Sequence, residues 1–304
     1  MIATVAVHQI ESLWRRRVLV TLLGAIVGVN VLAGVLGWAS RTTISGVFDE
    51  SVKLLKSRGL GAPPNPFLLK PTLSLLSNEI IYVTMIGALV ALVLGHMVVA
   101  EDETGGVGRI VFSRRITRLQ FAVGKIVAVA AILGVGMLGC VGVSIAALVA
   151  VNRGFPSGGD IGRLFGFFGF SWVYLMLFAL VGMVNLLVTK RRSLGLLTAM
   201  GTWLVITFVI PQFTSGLRPS QSLNPIVDSI SASQAFFKIT SKARPFSLSE
   251  QSKTVSGRIL ATSPSESFGH TIVRVLPIFG ALVVLALMVA RLINSHDYAR
   301  GTDE

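Results

Sequence analysis

Charge is scarce in this chain of 304 residues. Asp, Glu, Lys and Arg together make up 13% of it, about half the share of an average soluble domain. That deficit excludes an ordinary water-soluble globule. There is one cysteine, Cys140, so no intrachain disulfide forms and any loops in an oxidising compartment hold their shape without one. Within an apolar run, Cys140 reads as a small packing residue. Nucleotide-site motifs are missing too: the pattern G-x-x-x-x-G-K-[ST] does not occur. Neither H-E-x-x-H nor G-x-S-x-G occurs, and the four histidines, His8, His96, His270 and His296, fall on separate segments. Zinc-finger spacing and aromatic-basic RNA motifs are absent, so the net charge of +13 does not signal a nucleic-acid partner.

What is abundant is apolar sequence in long runs. A bilayer core about 30 Å thick takes roughly 20 apolar residues in a helix. Six stretches qualify, at about 18–39, 80–100, 123–151, 165–188, 194–213 and 272–293. The apolar stretch behind Arg15, Arg16 and Arg17 is too long for the core of a cleavable signal peptide. The expected fold is therefore all-α and membrane-spanning, with a short helix over 1–17, a transmembrane domain over 18–304, and loops 40–79 and 214–271 on one side. Six spans put both termini on the other side. The densest basic clusters, Arg15–Arg17, Arg114–Arg118 and Lys190–Arg192, lie with the termini, which predicts that side to be cytoplasmic.

Residues 1–17 read as amphipathic. Val7, Ile10 and Trp14 share one face, and Glu11 with Arg15 forms an i, i+4 pair. Two readings fit: a helix in the headgroup plane, with Trp14 at the lipid boundary and Arg15, Arg16 and Arg17 in water, or a plain extension of span 1 with a basic anchor. Further on, a surface helix is expected near Ile44–Lys56, broken by Ala62-Pro63-Pro64-Asn65-Pro66.

No Asp or Glu falls inside the six predicted spans. Ion-driven transporters place carboxylates or histidines there as relays. Here the intramembrane polar residues are Asn30, His96 and Asn185, and a lone His96 fits a hydrogen-bonded structural role. Gly134-Val135-Gly136-Met137-Leu138-Gly139 matches G-x-G-x-x-G but sits inside span 3, where glycines let helices approach closely; Gly162 and Gly166 have the same reading. Uphill transport by this chain therefore needs energy from elsewhere.

The most informative segment follows span 2. It runs Glu101-Asp102-Glu103-Thr104-Gly105-Gly106-Val107-Gly108-Arg109, then Ser113-Arg114-Arg115-Ile116-Thr117-Arg118, then Gly124-Lys125. An acidic cluster and a glycine break precede a basic, partly helical stretch. Such a knob suits docking onto a soluble partner. A basic cytoplasmic loop with a helix cap at Thr104 or Ser113 has the same composition.

At this loop the chain resembles the ABC-2 family of ABC transporter permeases, in particular those of nitrous-oxide-reductase maturation and gliding-motility type transporters. Their span ends in an acidic-Glu-x-x-Gly element, followed by Ser-x-x-x-(Ser/Thr)-Arg and then Gly-Lys. The counterparts are Glu101 or Glu103 with Gly105 or Gly106, then Ser113, Thr117 and Arg118, then Gly124 and Lys125. Arg114-Arg115-Ile116 stands where the family often has proline after the serine. The layout of six spans, with Glu11 and Arg15–Arg17 on an interfacial helix, is similar as well.

The resemblance implies a non-catalytic permease subunit in the plasma or inner membrane, an exporter by analogy. It implies two permease copies, membrane lipid around them, and separate ATP-binding cassette subunits that carry ATP and Mg. Glu101, Glu103, Gly105, Gly106, Arg109, Ser113, Arg114, Arg115, Thr117, Arg118 and Lys125 then belong to the ATPase-coupling loop, and spans 2 and 5 contribute to the path. The chain itself needs no cofactor or metal. Two other readings remain open: a lipid-modifying membrane enzyme using Glu79 and His270 at the outer face, and an anchoring or assembly subunit that moves nothing.

Overall fold

A computed structural model describes residues 1–15, 17–61, 72–103, 116–152, 154–215, 239–262 and 268–295. The described residues are helical almost throughout, without a strand. Six helices are long and apolar enough to cross a membrane: Val18–Ser57, Leu73–Glu101, Arg118–Val151, Gly158–Thr189, Arg192–Thr214 and Ile272–Ser295. They are spans 1 to 6. The prediction of six spans stands, and the differences lie at their ends.

Span 1 does not give way to a separate surface helix near Ile44. It runs unbroken through Ser57, 40 residues, or about 60 Å at 1.5 Å per residue. That is roughly twice the hydrocarbon thickness, so the helix projects well beyond a bilayer. Its stop signal is Gly59, at φ 72°. The Gly59 amide bonds to the Lys56 carbonyl at 3.1 Å and the Leu60 amide to the Leu55 carbonyl at 3.0 Å. This pair of bonds closes a helix end in the Schellman manner. The proline cluster at 62–66 lies outside the described residues.

Span 4 begins at Gly158, not near 165. Ser157 accepts a hydrogen bond from the Asp160 amide and donates to its carboxylate at 2.9 Å, a local cap that starts the helix inside the glycine-rich loop. Spans 2 and 4 form the centre of the bundle. A side chain at Gly95 would collide with the Ala179 carbonyl, and one at Gly182 with the Leu92 carbonyl. The two backbones therefore lie in direct contact, which only glycine permits. Tyr174, Phe167, Phe178, Leu92 and Leu94 are fully enclosed around this seam.

The glycines of span 3 do serve packing: a Cβ on Gly136 would stand 2.9 Å from Leu23 Cδ2 of span 1. Gly166 meets Ile259, whereas Gly162 has no described atom within 4 Å of an added Cβ, so close packing is not its role among the described residues. His96 is buried, but its Nδ1 has no hydrogen-bond partner among the described residues. Only part of the expected structural role is thus realised.

The segment between spans 5 and 6 is not simply a polar loop. It contains a helix at Leu248–Ile259, the outer helix below, whose Ser249, Glu250, Gln251, Ser252 and Lys253 are all buried. A sequence so polar is enclosed because it packs on spans 4 and 6 and on the start of span 2. Some of its polar groups are met internally: Arg244 pairs with Glu250 at 3.1 Å, and Gln251 donates to the Arg244 carbonyl at 2.8 Å, while the Gln251 Oε1 has no partner among the described residues.

Glu79 is the main correction to the sequence reading. It does not stand at the outer edge of span 2. The span begins at Leu73, and Glu79 is 1% exposed within it. The turn Ser77-Asn78-Glu79 is tolerated there because span 1 and the outer helix pack against it.

Candidate functional site

The N-terminal helix covers Ile2–Arg15. It ends at an elbow in which Arg17 adopts φ 59°, a left-handed conformation uncommon outside glycine. The turn is held by a bond from the Arg17 amide to the Trp14 carbonyl at 2.9 Å. Beyond it the chain enters span 1. The N-terminal helix folds back onto the start of span 3. The face it buries is Ala6, Gln9 and Leu13. Val7 and Trp14 point away from the protein, 53% and 59% exposed, and Glu11 and Arg15 are exposed as well. Gly124 of span 3 permits this seat, since a Cβ there would lie 2.7 Å from Val5.

Gln9 is the one polar residue of the buried face, and it organises the site. Its Nε2 donates to the Glu101 carboxylate at 2.7 Å. Ser12, one turn on, donates to the other carboxylate oxygen. The Gln9 Oε1 accepts from Lys125 Nζ at 3.0 Å. The Lys125 ammonium is fully buried, also donates to the Val98 carbonyl, and lies 5.0 Å from the Phe121 ring centre. Glu101 closes span 2 and Lys125 sits two turns into span 3. One glutamine thus joins the two sides of the intervening loop. A buried ammonium and a carboxylate are costly unless hydrogen-bonded, and the amide between them supplies a donor to one and an acceptor to the other.

Span 3 starts with a reciprocal cap. The Gln120 amide donates to Thr117 Oγ1 at 3.2 Å, and the Thr117 amide donates to Gln120 Oε1 at 3.3 Å. This is a capping box, so span 3 is capped at Thr117; the turn expected to start at Thr104 or Ser113 lies outside the described residues. Arg118 donates to the Asn294 carbonyl near the end of span 6. The N-terminal helix, the start of span 3 and the end of span 6 are thereby brought together at one end of the bundle. Arg192 donates to the Ala100 carbonyl at 2.6 Å, satisfying one of the acceptors that a helix end leaves open.

Of the residues expected in the loop, Glu101, Thr117, Arg118 and Lys125 are therefore engaged with the chain's own helices. Glu103 ends the span 2 helix. Gly105, Gly106, Arg109, Ser113, Arg114 and Arg115 lie outside the described residues, as does Arg16. Gln9 and Ser12 are the residues that sequence reasoning missed. A signal existed: Gln9 stands at i+3 from Ala6 and i−4 from Leu13, a polar side chain in the middle of an apolar stripe.

Spans 2 and 5 meet at irregular turns. Each contains five residues of π-helix, Val83–Gly87 and Val205–Val209. Such turns release backbone carbonyls from the helical ladder and recur at functional sites. The Trp203 indole donates to the Met85 carbonyl at 3.1 Å, directly across from span 5 to span 2. Tyr174 approaches the Thr84 carbonyl, and Ser249 of the outer helix donates to the Ile206 carbonyl at 3.2 Å. Span 2 is mostly interior, while span 5 turns Leu197, Leu204 and Val209 outward.

A family model described as ABC-2 family transporter protein matches residues 18–298. The N-terminal helix precedes the matched residues. No curated protein matches the chain.

Proposed function

The chain belongs to the ABC-2 family of transporter proteins and is a multi-pass permease component of an ABC transporter; from that premise we propose that a separate ATP-binding cassette subunit, holding ATP and Mg, docks on the loop between spans 2 and 3. The observation that carries this reading is the Gln9 bridge between Glu101 and Lys125. A force applied to the loop reaches the ends of spans 2 and 3 and the N-terminal helix together. Coupling of this kind needs differential contacts in two states, and a hydrogen-bonded clamp at the loop's base provides them.

In this reading the docking contacts are Glu103, Gly105, Gly106, Arg109, Ser113, Arg114 and Arg115, while Glu101, Thr117, Arg118 and Lys125 hold the loop's base. The loop end and both termini face the cytoplasm of a cell membrane. The N-terminal helix lies at the lipid interface, with Val7 and Trp14 toward lipid and Arg15, Arg16 and Arg17 toward water. The exposed apolar face of span 5 meets a second permease copy or lipid. The paired π turns of spans 2 and 5 flank the path of an exported substrate. A lipid-modifying role for Glu79 at the surface is disfavoured by its burial.

The test is purification of the tagged full-length chain from its native membranes. A co-purifying ATP-binding cassette subunit is expected, reduced by the double charge reversal R114E/R115E. Recovery unaffected by the reversal removes the docking assignment, and a wild-type chain carrying no such subunit removes the reading as a whole.

A further inference from the structure

Spans 1, 2 and 3 enclose a polar cluster that the coupling reading does not use. Glu79, Ser144 and Asn30, one from each span, are 1%, 0% and 3% exposed. Ser144 Oγ lies 3.0 and 3.1 Å from the two Glu79 carboxyl oxygens, 2.9 Å from the Cys140 carbonyl and 3.3 Å from Asn30 Oδ1. These are four acceptors around a hydroxyl that owns one proton. Ser144 is the only hydrogen-bond donor to Glu79 among the described residues, and Asn30 Nδ2 has no partner there. An ionised carboxylate cannot be held in a bilayer-embedded bundle on one shared hydroxyl proton.

One added proton removes the deficit. A protonated Glu79 donates to Ser144 Oγ, which frees the serine proton for the Cys140 carbonyl or for Asn30. Beside the cluster is a cavity of about 10 Å³ lined by Asn30, Glu79, Tyr82 and Met137 and by the π turn of span 2 at Val83 and Gly87. It has room for about one water molecule.

Apart from charges nearer the helix ends (Asp49, Glu50, Lys53 and Lys56 of span 1, His96 and Glu101 of span 2, Arg118 and Lys125 of span 3, Asp160 and Arg163 of span 4), the titratable or charged groups on the elements around Glu79 are few. Span 2 itself adds Tyr82, and span 3 adds Cys140. Span 1 carries Arg41 about three turns beyond Asn30. Span 4 brings Tyr174, which is turned to the Thr84 carbonyl. The outer helix brings Glu250, paired with Arg244, together with Lys253 and Arg258. None of them forms a hydrogen bond or an ion pair with Glu79 among the described residues.

We propose that Glu79 is a proton-binding site inside the transport bundle, occupied when spans 1, 2 and 3 are packed as here. When these spans part, the carboxyl O–H bond breaks. The proton passes to water in the widened cavity as hydronium, and a hydrated carboxylate stays behind. Proton binding and span packing then bias each other reciprocally. The site stands on this chain alone and does not depend on an ATPase partner.

Infrared difference spectroscopy of the full-length chain in lipid nanodiscs at neutral pH tests it. Wild type minus E79Q is expected to contain the C=O band of a protonated carboxyl, shifted in heavy water. S144A is expected to keep that band and move its frequency, because the acceptor of the Glu79 proton has gone. Ionised carboxylate bands in the difference spectrum overturn the proposal, and so do carboxylate bands that require Na⁺, which would assign a metal cation instead. If E79Q does not fold, wild type against S144A decides: a moved protonated band supports the site, and an unmoved or missing one overturns it.

Discussion

Gln9 Oε1 accepts a hydrogen bond at 3.0 Å from the ammonium of Lys125, a residue 116 positions away and fully buried. The contact fixes the N-terminal helix against span 3 through a buried charge that also donates to the Val98 carbonyl. Replacing Gln9 with leucine keeps the volume and removes both of its bonds. Q9L is expected to lower stability by about 2–3 kcal/mol, the range for a lost hydrogen bond to a charged group. K125M removes the buried charge and leaves two neutral acceptors, the Gln9 Oε1 and the Val98 carbonyl, without their donor; it is expected to cost about 1 kcal/mol, less than Q9L. Thermal unfolding of the two variants in detergent separates them. Equal melting temperatures would contradict the assignment.

The Thr117–Gln120 box sets where span 3 begins. T117A is expected to cost about 1 kcal/mol and to speed hydrogen exchange at the amides of the first turn after Thr117. Exchange unchanged there would place the cap elsewhere.

Gly182 and Gly136 differ in what an added methyl would meet. At Gly182 it meets backbone, the Leu92 carbonyl; at Gly136 it meets the end of a flexible side chain, Leu23 Cδ2. G182A is therefore expected to destabilise by about 3 kcal/mol or more, and G136A by less than about 1 kcal/mol. The readout is the yield and melting temperature of the solubilised protein.

Burial pushes the Lys253 ammonium down from 10.5 to about 8, with the nearby Glu250 carboxylate acting in the opposite direction. The folded state therefore binds fewer protons than the unfolded state between those two values. Stability rises with pH across that window, by at most about 3 kcal/mol, and the penalty is fully present below pH 8. K253M is expected to remove the rise. A wild-type melting temperature flat from pH 8 to 10.5 would contradict this.

Hydropathy made the six spans legible because membrane insertion depends on apolar length, which a single chain displays directly. Span ends were less legible because their signals are local and can be overridden. Gly59 ended span 1 before the prolines, and Ser157 started span 4 within a stretch that reads as loop. Glu79 looked peripheral because a one-dimensional window sees neighbours in sequence, and its burial comes from spans 1 and 3. The loop after span 2 was legible as a charged element. Its anchoring was not, because Gln9 and Lys125 meet only after the N-terminal helix folds back. The π turns of spans 2 and 5 left no mark in hydropathy at all, since an extra residue per turn changes the phase of a helix without changing its composition.

In the proposed function, the clamp at the loop's base carries work between the permease and its ATPase. ATP hydrolysis by the complex purified in nanodiscs, compared between wild type and Q9L, tests it most directly. Equal amounts of bound ATPase subunit and a severalfold change in hydrolysis rate are expected in Q9L, because docking survives while coupling does not. Equal hydrolysis at equal occupancy would contradict it.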